Sequence, residues 1–290
     1  PLKHTIAKYR WLYQLGLQGP DMFFYNIPIL RHRDYRNVGS YMHEHKVNAF
    51  FECCLRRIGT IRSRQQQEEA ISYLAGFINH YIADSICHPY VYGRIGYPVD
   101  APTSMHHGMH AHLENELDAI LLWKYKKKKP SEFNQTATIC LNGQEIQFIS
   151  HFLASCINET YYPITYRNNF QVTPAMVHRS IWALRFGCRT LSDKNGKKKF
   201  GIAQVESIFV NHPVASAKMV TDSVTDYRSS CNLNHEAWGN PWDPTRVSTA
   251  SFVDLFHETL DKCSRVYALL NSAVTDNMPL DKQDLSPLLA

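Results

Sequence analysis

The sequence predicts a mainly helical, all-α protein, a multi-helix bundle carrying one small β-hairpin near residues 136–148. Three observations carry that expectation. Apolar residues recur at spacings of three and four over long stretches, as in Ile71, Leu74, Phe77, Ile78, Tyr81 and Ile82. Gly and Pro stand between these stretches as punctuation. One segment alternates instead, around Asn142-Gly143, a dipeptide suited to a two-residue hairpin turn.

Taken in order, residues 5–17 show helical spacing in Ile6, Tyr9, Leu12 and Tyr13, and Gly16 and Gly19-Pro20 end that helix. Residues 21–36 read as irregular and aromatic-rich, with Phe23, Phe24 and Tyr25. A helix is expected from about Asn37 to Ile58. Ser63 and Gln66 form a capping box that opens the next, long helix. Pro89 should end it near His88. After a loop with Gly93, Gly96, Pro98 and Pro102, a helix is expected over about Met105 to Tyr125, stopping in a lysine run before Pro130. Further helices are expected near 149–160, 174–192, 213–227 and 250–273. Asn232 to Thr245 reads as a Trp-, Asn- and Pro-rich loop, and the polar tail from Asn277 should fray.

Composition narrows the class. The 290 residues are 44% hydrophobic and 20% charged, which suits a globular chain with a sizeable core. No apolar run approaches the roughly 18 residues a membrane span needs. The N-terminal residues show no basic region followed by an apolar one, so no secretory signal is read and a cytoplasmic location is expected. The eight cysteines (Cys53, Cys54, Cys87, Cys140, Cys156, Cys188, Cys231, Cys263) form no C-x-x-C pair and read as reduced thiols, mostly in the core. The net charge of +5 comes largely from Lys126–Lys129 and Lys197–Lys199. Solvated lysines are the favoured reading of these runs, and attraction to an anionic membrane or nucleic acid the alternative.

Histidine is the unusual number, with fifteen in all and ten of them before residue 113. His80, Asp84 and His88 follow one another at i, i+4 and i+8. Each step of four turns a helix by about 40°, so the three share one face. That face is otherwise flanked by apolar residues, where polar groups need partners, and a metal ion supplies one. His110, Glu114 and Asp118 repeat the spacing, and His-x-x-x-Glu offers a zinc ion one nitrogen and one oxygen from a single helix. Asp118 is expected behind the ligands, orienting an imidazole. His106 extends this stripe, and His112 with Glu116 forms a pair on another face. Asp21 in Gly19-Pro20-Asp21, His43, His45 and His4 are weak signals taken singly: Asp21 can be a turn residue, and of His43 and His45 only one can share a helix face.

Together these parts resemble the zinc-dependent phospholipase C family and its relatives, the fungal single-strand nucleases. The matching pieces are His4, Gly16-Leu17-Gln18-Gly19-Pro20-Asp21 with Phe23-Phe24, Gly39-Ser40-Tyr41-Met42-His43, His80-Tyr81-Ile82-Ala83-Asp84-x-x-x-His88-Pro89, and His110-x-x-x-Glu114-x-x-x-Asp118, in order over about residues 1–125. Asn234-His235-x-x-Trp238 with Asn240-Pro241-Trp242 is similar to a loop of intracellular bacterial members. The resemblance implies one metal on Asp21, His43, His80 and Asp84, a second on His88, His110 and Glu114, and a third on His4 with Asp84 bridging. Secreted members bring a processed N-terminal Trp to the third metal, whereas residue 1 here is Pro, and their His after His-x-x-x-Asp lies two residues beyond the position of His88.

The organisation expected is a metal-binding helical core over 1–130, a helical remainder over 131–276 packed on it as one continuous domain, and a tail over 277–290. The function expected is that of a metal-dependent phosphodiester hydrolase of phospholipase C type, using two or three Zn²⁺ ions to activate water, with Asp21 as its base. Fe²⁺, Mn²⁺ and Ni²⁺ are alternatives for the same mixed N/O ligands. The expected substrate is a phospholipid or other phosphodiester, with transient contact to a membrane surface. Phe23, Phe24, Tyr25, Tyr90 and Tyr92 are read mostly as core, otherwise as a pocket for lipid tails or bases, and Trp238 and Trp242 as a cap or a membrane contact. A single-strand nuclease on the same scaffold is the second reading, though the modest charge does not call for nucleic acid. A non-catalytic metal-binding protein is the third.

Overall fold

The computed structural model describes residues 1–26, 38–163, 170–208, 216–224 and 226–275. Among them lie helices α1 (Leu2–Lys8), α2 (Arg10–Gly16), α3 (Val38–Glu44), α4 (Val47–Thr60), α5 (Arg64–Arg94), α6 (Ser104–Lys126), α7 (Gly143–Tyr161), α8 (Pro174–Thr190), α9 (Lys197–Glu206), α10 (Tyr227–Ser230) and α11 (Phe252–Thr275), with one two-stranded sheet. The mainly helical expectation holds. None of these helices is long and apolar enough to cross a membrane, and all eight cysteines are free thiols. The chain divides into two compact units. One comprises Pro1–Tyr81, Thr136–Gly187 and Lys262–Ala290, the other Ile82–Gln135 and Cys188–Asp261.

In the first unit, the expected N-terminal helix is two helices. Tyr9 breaks the run at φ −111°, ψ 42°, and its buried carbonyl accepts a hydrogen bond from Ser72 Oγ at 3.0 Å. Helix α2 then meets α5 backbone to backbone. A methyl on Gly16 would collide with the Tyr73 carbonyl oxygen, and one on Gly76 with that of Tyr13. A glycine inside a helix costs about 1 kcal/mol against alanine, and this close crossing is what Gly76 gives in return. Leu12, Leu15, Met22 and Phe23 fill the core from the N-terminal side, and Phe50, Phe51, Leu55 and Ile58 of α4 fill it from another. Each such side chain contributes roughly 1.5–3 kcal/mol when buried. The helix expected from Asn37 is also split, because Lys46 takes a left-handed φ of 50° between α3 and α4. Residues 27–37, including most of the segment read as irregular, lie outside the described residues. What is described of that segment, Gly19–Tyr25, is a 3₁₀ helix.

The hairpin expected near 136–148 is not there. Gln135–Thr138 is a 3₁₀ turn, and Asn142 opens α7 as its cap. Asn142 Oδ1 accepts from Glu145 N at 2.9 Å, while Glu145 Oε2 accepts from Asn142 N at 2.8 Å. This reciprocal pair satisfies two helix-end donors and wins over the turn preference of Asn-Gly.

The second unit holds the hairpin instead, in the segment read as a loop. Strands β1 (Trp238–Asn240) and β2 (Asp243–Ser248) pair antiparallel, with Trp238 opposite Ser248 and a register irregularity at Gly239/Asn240. Asn240 Oδ1 accepts from Trp242 N at 3.0 Å and shapes the turn. Helix α5 runs through Pro89 to Arg94 rather than ending near His88. An interior proline costs about 3 kcal/mol. Tyr90 and Val91, directly after it, are anchored in a cluster with Leu117, Ile120, Trp238 and Phe252 that offsets this cost. Tyr90 also donates its hydroxyl to the Ser230 carbonyl at 2.6 Å.

Helix α6 matches its expected span. The helix expected over 213–227 does not form in its described part, which has only the 3₁₀ turn Ser216–Lys218 and the start of α10; residues 209–215 and 225 lie outside it. Helix α9 was not foreseen, and it begins in the second lysine run, where Lys199 N donates to Asp193 Oδ2 at 2.8 Å. The tail over 277–290 lies outside the described residues.

Candidate metal centre

In the first unit, Asp21, His43 and His80 converge, each offering a ligand atom within 4.8 Å of the others. Three elements bring them there: the 3₁₀ helix Gly19–Tyr25, the last turn of α3, and α5. His80 Nδ1 lies 3.2 Å from the Leu17 carbonyl and His43 Nδ1 lies 2.8 Å from the Gly39 carbonyl. A carbonyl can only accept, so both Nδ1 atoms carry the proton. In the neutral ring Nε2 then holds the lone pair, the tautomer a metal ligand needs. His43 Nε2 lies 3.2 Å from Asp21 Oδ1. Phe24 stacks on His43 with ring centres 5.9 Å apart, and His80 meets His43 edge-on at 5.7 Å. Gly19 has a positive φ of 49°, and a methyl there would strike the His80 ring. The Gly-Pro-Asp turn therefore both supplies the carboxylate and leaves room for the imidazole beside it.

In the second unit, His88, His110 and Glu114 form a matching trio, again within 4.8 Å. Glu114 Oε1 lies 2.7 Å from His110 Nε2 and 3.3 Å from His88 Nε2. The His110 approach is short but not aligned as a hydrogen bond, and that buried nitrogen has no such partner. Three ligand atoms within 4.8 Å of one another, one of them an unsatisfied buried imidazole nitrogen, fit a common cation. Burial works against ionising Glu114, but the contacts and charge of His110 and His88 outweigh it and hold the carboxyl down at about 2. Asp118, one turn later on α6, keeps solvent access, while crowding around its carboxyl first and the Glu114 charge second push it upward. Tyr92 packs edge-on to His110 at 4.4 Å, and Trp242 packs on Tyr92 at 4.9 Å.

Each trio is two imidazole nitrogens and one carboxylate oxygen. That mixed set suits zinc, with three protein donors where a catalytic ion keeps its fourth position open. The sequence profile of one family, zinc dependent phospholipase C, matches residues 1–165, more than half of the 290. The chain belongs to the zinc-dependent phospholipase C family. No curated protein and no solved structure matches it. The phospholipase C match takes in both trios, runs on to residue 165 beyond the stretch of about residues 1–125 that carries the main motifs, and stops short of Asn234–Trp242.

Six of the eight residues expected to bind metal thus fall into the two trios. Asp84 Oδ1 lies 3.8 Å from His88 Nε2, outside either. His4 is exposed on α1, also outside them. Of the surplus histidines, His106 serves the start of α6, where its Nδ1 lies 2.9 Å from Thr103 Oγ1. His112 lies 3.8 Å from Glu116, a buried carboxylate that accepts from Ser230 Oγ at 2.6 Å. His45 packs on Tyr41 at 4.4 Å. Tyr90 and Phe23 are core, Phe24 and Trp242 are exposed beside the trios, and Trp238 is buried, donating Nε1–H to the Ala250 carbonyl at 2.9 Å. Gly19 reads from sequence as a helix stop and turn residue, and its part in leaving room for the His80 ring emerges only in the fold. Tyr97, packed against Tyr92 at 4.5 Å, is a contributor that nothing in its surroundings in the sequence marks.

Proposed function

We propose that this member of the family hydrolyses the phosphodiester bond of a phospholipid, with water as nucleophile, and that Asp21, His43 and His80 hold one zinc ion while His88, His110 and Glu114 hold another. The observation that supports this most is the pair of three-donor trios, each short of a full tetrahedral shell. Zinc, when bound, lowers the pKa of water toward ~7 and offsets charge building on the phosphoryl oxygens. The chain's own residues do the rest. The Leu17 and Gly39 carbonyls hold the His80 and His43 rings in one tautomer. Asp21, with its side chain 45% exposed, is open enough to take the proton from the attacking water. Glu114 stays anionic at any working pH. Phe24 beside the first trio and Tyr92 with Trp242 beside the second offer apolar surface to the lipid.

Metal analysis beside an assay tests the reading. The parent should carry two to three zinc equivalents and release the phosphorylated head group from phosphatidylcholine. His80→Ala and Glu114→Ala should each lose metal and turnover. A folded, metal-free parent would overturn it. Turnover of single-stranded nucleic acid with none of phospholipid would move the function to the nuclease reading.

A further inference from the structure

Outside both trios, the second unit carries a cavity of about 530 Å³ at the end of α6. Its wall is apolar and aromatic: Ile120 and Trp123 of α6 face Val224 and Tyr227. Four cations, Lys124, Lys127, Lys128 and Lys129, line the same cavity, with Asp222 as the one lining carboxylate. Asp222 is already engaged, since its two oxygens accept from Ser131 N at 2.8 Å and Ser131 Oγ at 2.7 Å. The lysines are exposed.

The backbone explains how a run of lysines comes to ring a hollow. Lys127 takes a left-handed φ of 54° and closes α6 by donating its N–H to the Trp123 carbonyl at 3.0 Å. Lys129 is extended, and Pro130 then starts a 3₁₀ turn that Ser131 ties to Asp222. The chain turns about Lys127 instead of running on into solvent. Lysines at a helix C-terminus favour the dipole wherever they point. That general benefit does not account for an open apolar wall between them, with Trp123 54% and Tyr227 44% exposed.

We propose that this cavity binds an anionic phospholipid in a membrane surface, the lysines taking the phosphate and acidic head group and the Trp123–Ile120–Val224 wall taking the glycerol and upper acyl carbons. Charge complementarity is the first argument: four lysines line one cavity against a single lining carboxylate, whose two oxygens are taken up by hydrogen bonds from Ser131. Mixed polarity is the second. Lysine binds phosphate as a point charge, its stem lies along apolar surface, and an exposed Trp suits the boundary between water and hydrocarbon. A nucleic-acid strand would ask for a charged track with successive stacking rings, whereas here the cations close around a single hollow.

Vesicle co-sedimentation of the full chain tests this, using phosphatidylcholine vesicles with and without phosphatidylserine. It is read both with metal bound and with a chelator present, so that binding is scored apart from hydrolysis. The parent should bind the phosphatidylserine-containing vesicles more tightly. A juxtamembrane lysine is worth a factor of about five in affinity. The triple variant Lys127→Gln/Lys128→Gln/Lys129→Gln should therefore weaken that binding by about a hundredfold, while metal content and turnover of a short-chain soluble substrate stay as in the parent. Trp123→Ala should weaken it with no change in charge. The equal-charge control Lys197→Gln/Lys198→Gln/Lys199→Gln should keep most of the affinity. Equal loss in both triples would reduce the effect to net charge and overturn the site. So would parental binding by the Lys127–Lys129 triple, or tighter binding of single-stranded nucleic acid through the same lysines.

Discussion

The two trios have the same donor list and are built in different ways. Around Asp21, His43 and His80, backbone does the positioning: two carbonyls hold the imidazoles, and a positive-φ glycine opens the space for one of them. Around His88, His110 and Glu114, helices α5 and α6 present the side chains, and neighbouring rings confine them. A site oriented by backbone is set by the fold itself, while one oriented by packed side chains depends on how its neighbours fill space. The first should therefore hold its ion with less reorganisation, and the second should respond more to changes in the aromatic residues beside it.

Direct removal of a ligand tests this contrast most severely. His80→Ala should empty the first trio and lower kcat/KM by about a thousandfold or more, ~4 kcal/mol of transition-state stabilisation, while the second trio keeps its metal. Element-resolved metal counting reads this, and loss of both ions together would show the two to be one cooperative centre. Next in size is Gly19→Ala. The added methyl meets the His80 ring and should cost about 10–100-fold in metal affinity at the first trio only, the scale of a disturbed ligand orientation. Tyr92→Ala is its counterpart for the second trio, with an affinity loss of up to about tenfold, read by chelator competition.

pH sharpens the contrast further. Bound imidazoles must be neutral, so both trios should release metal as pH falls into the acid range. Glu114 plays no part in that release, because its carboxyl titrates only near about 2. In metal-free protein the sign is that of a depressed acid. Its contribution to stability is full above the ordinary carboxylate pKa of about 4.3 and is lost as pH falls from there toward about 2. A Glu114→Gln variant should flatten this acid limb in chemical denaturation. The smallest effect expected is at a distance from either trio: Asn142→Ala should cost about 1 kcal/mol of stability and leave metal content unchanged.

The sequence carried the helices and both His-x-x-x-carboxylate pairings well, because period and spacing are local properties. It carried the ends of elements poorly. Pro89 is a helix stop by local rules, and only the burial of Tyr90 and Val91 beyond it lets α5 continue. Asn142-Gly143 holds two valid local signals at once, and Glu145 three residues on decides between them. The hairpin at 238–248 shows little alternation, since most of β2 is exposed, so no buried face wrote itself into the pattern. Asp21 and His43, weak when taken singly, become a pair only through the tertiary fold, which the order of the resembling motifs anticipated and their spacing did not.

The contact between α2 and α5 at Gly16 and Gly76 has a practical corollary for anyone redesigning this chain. Leu12 and Leu15 can exchange for other aliphatic residues of similar volume at modest cost, because side chains repack. Two main chains in contact have nothing that can repack, so even a single extra carbon at either glycine must lever the helices apart. The segment from Leu17 to Asp21 would be carried along by that movement. Stabilising substitutions that look harmless by helix propensity, Gly76→Ala foremost, should therefore be screened by zinc retention before melting temperature.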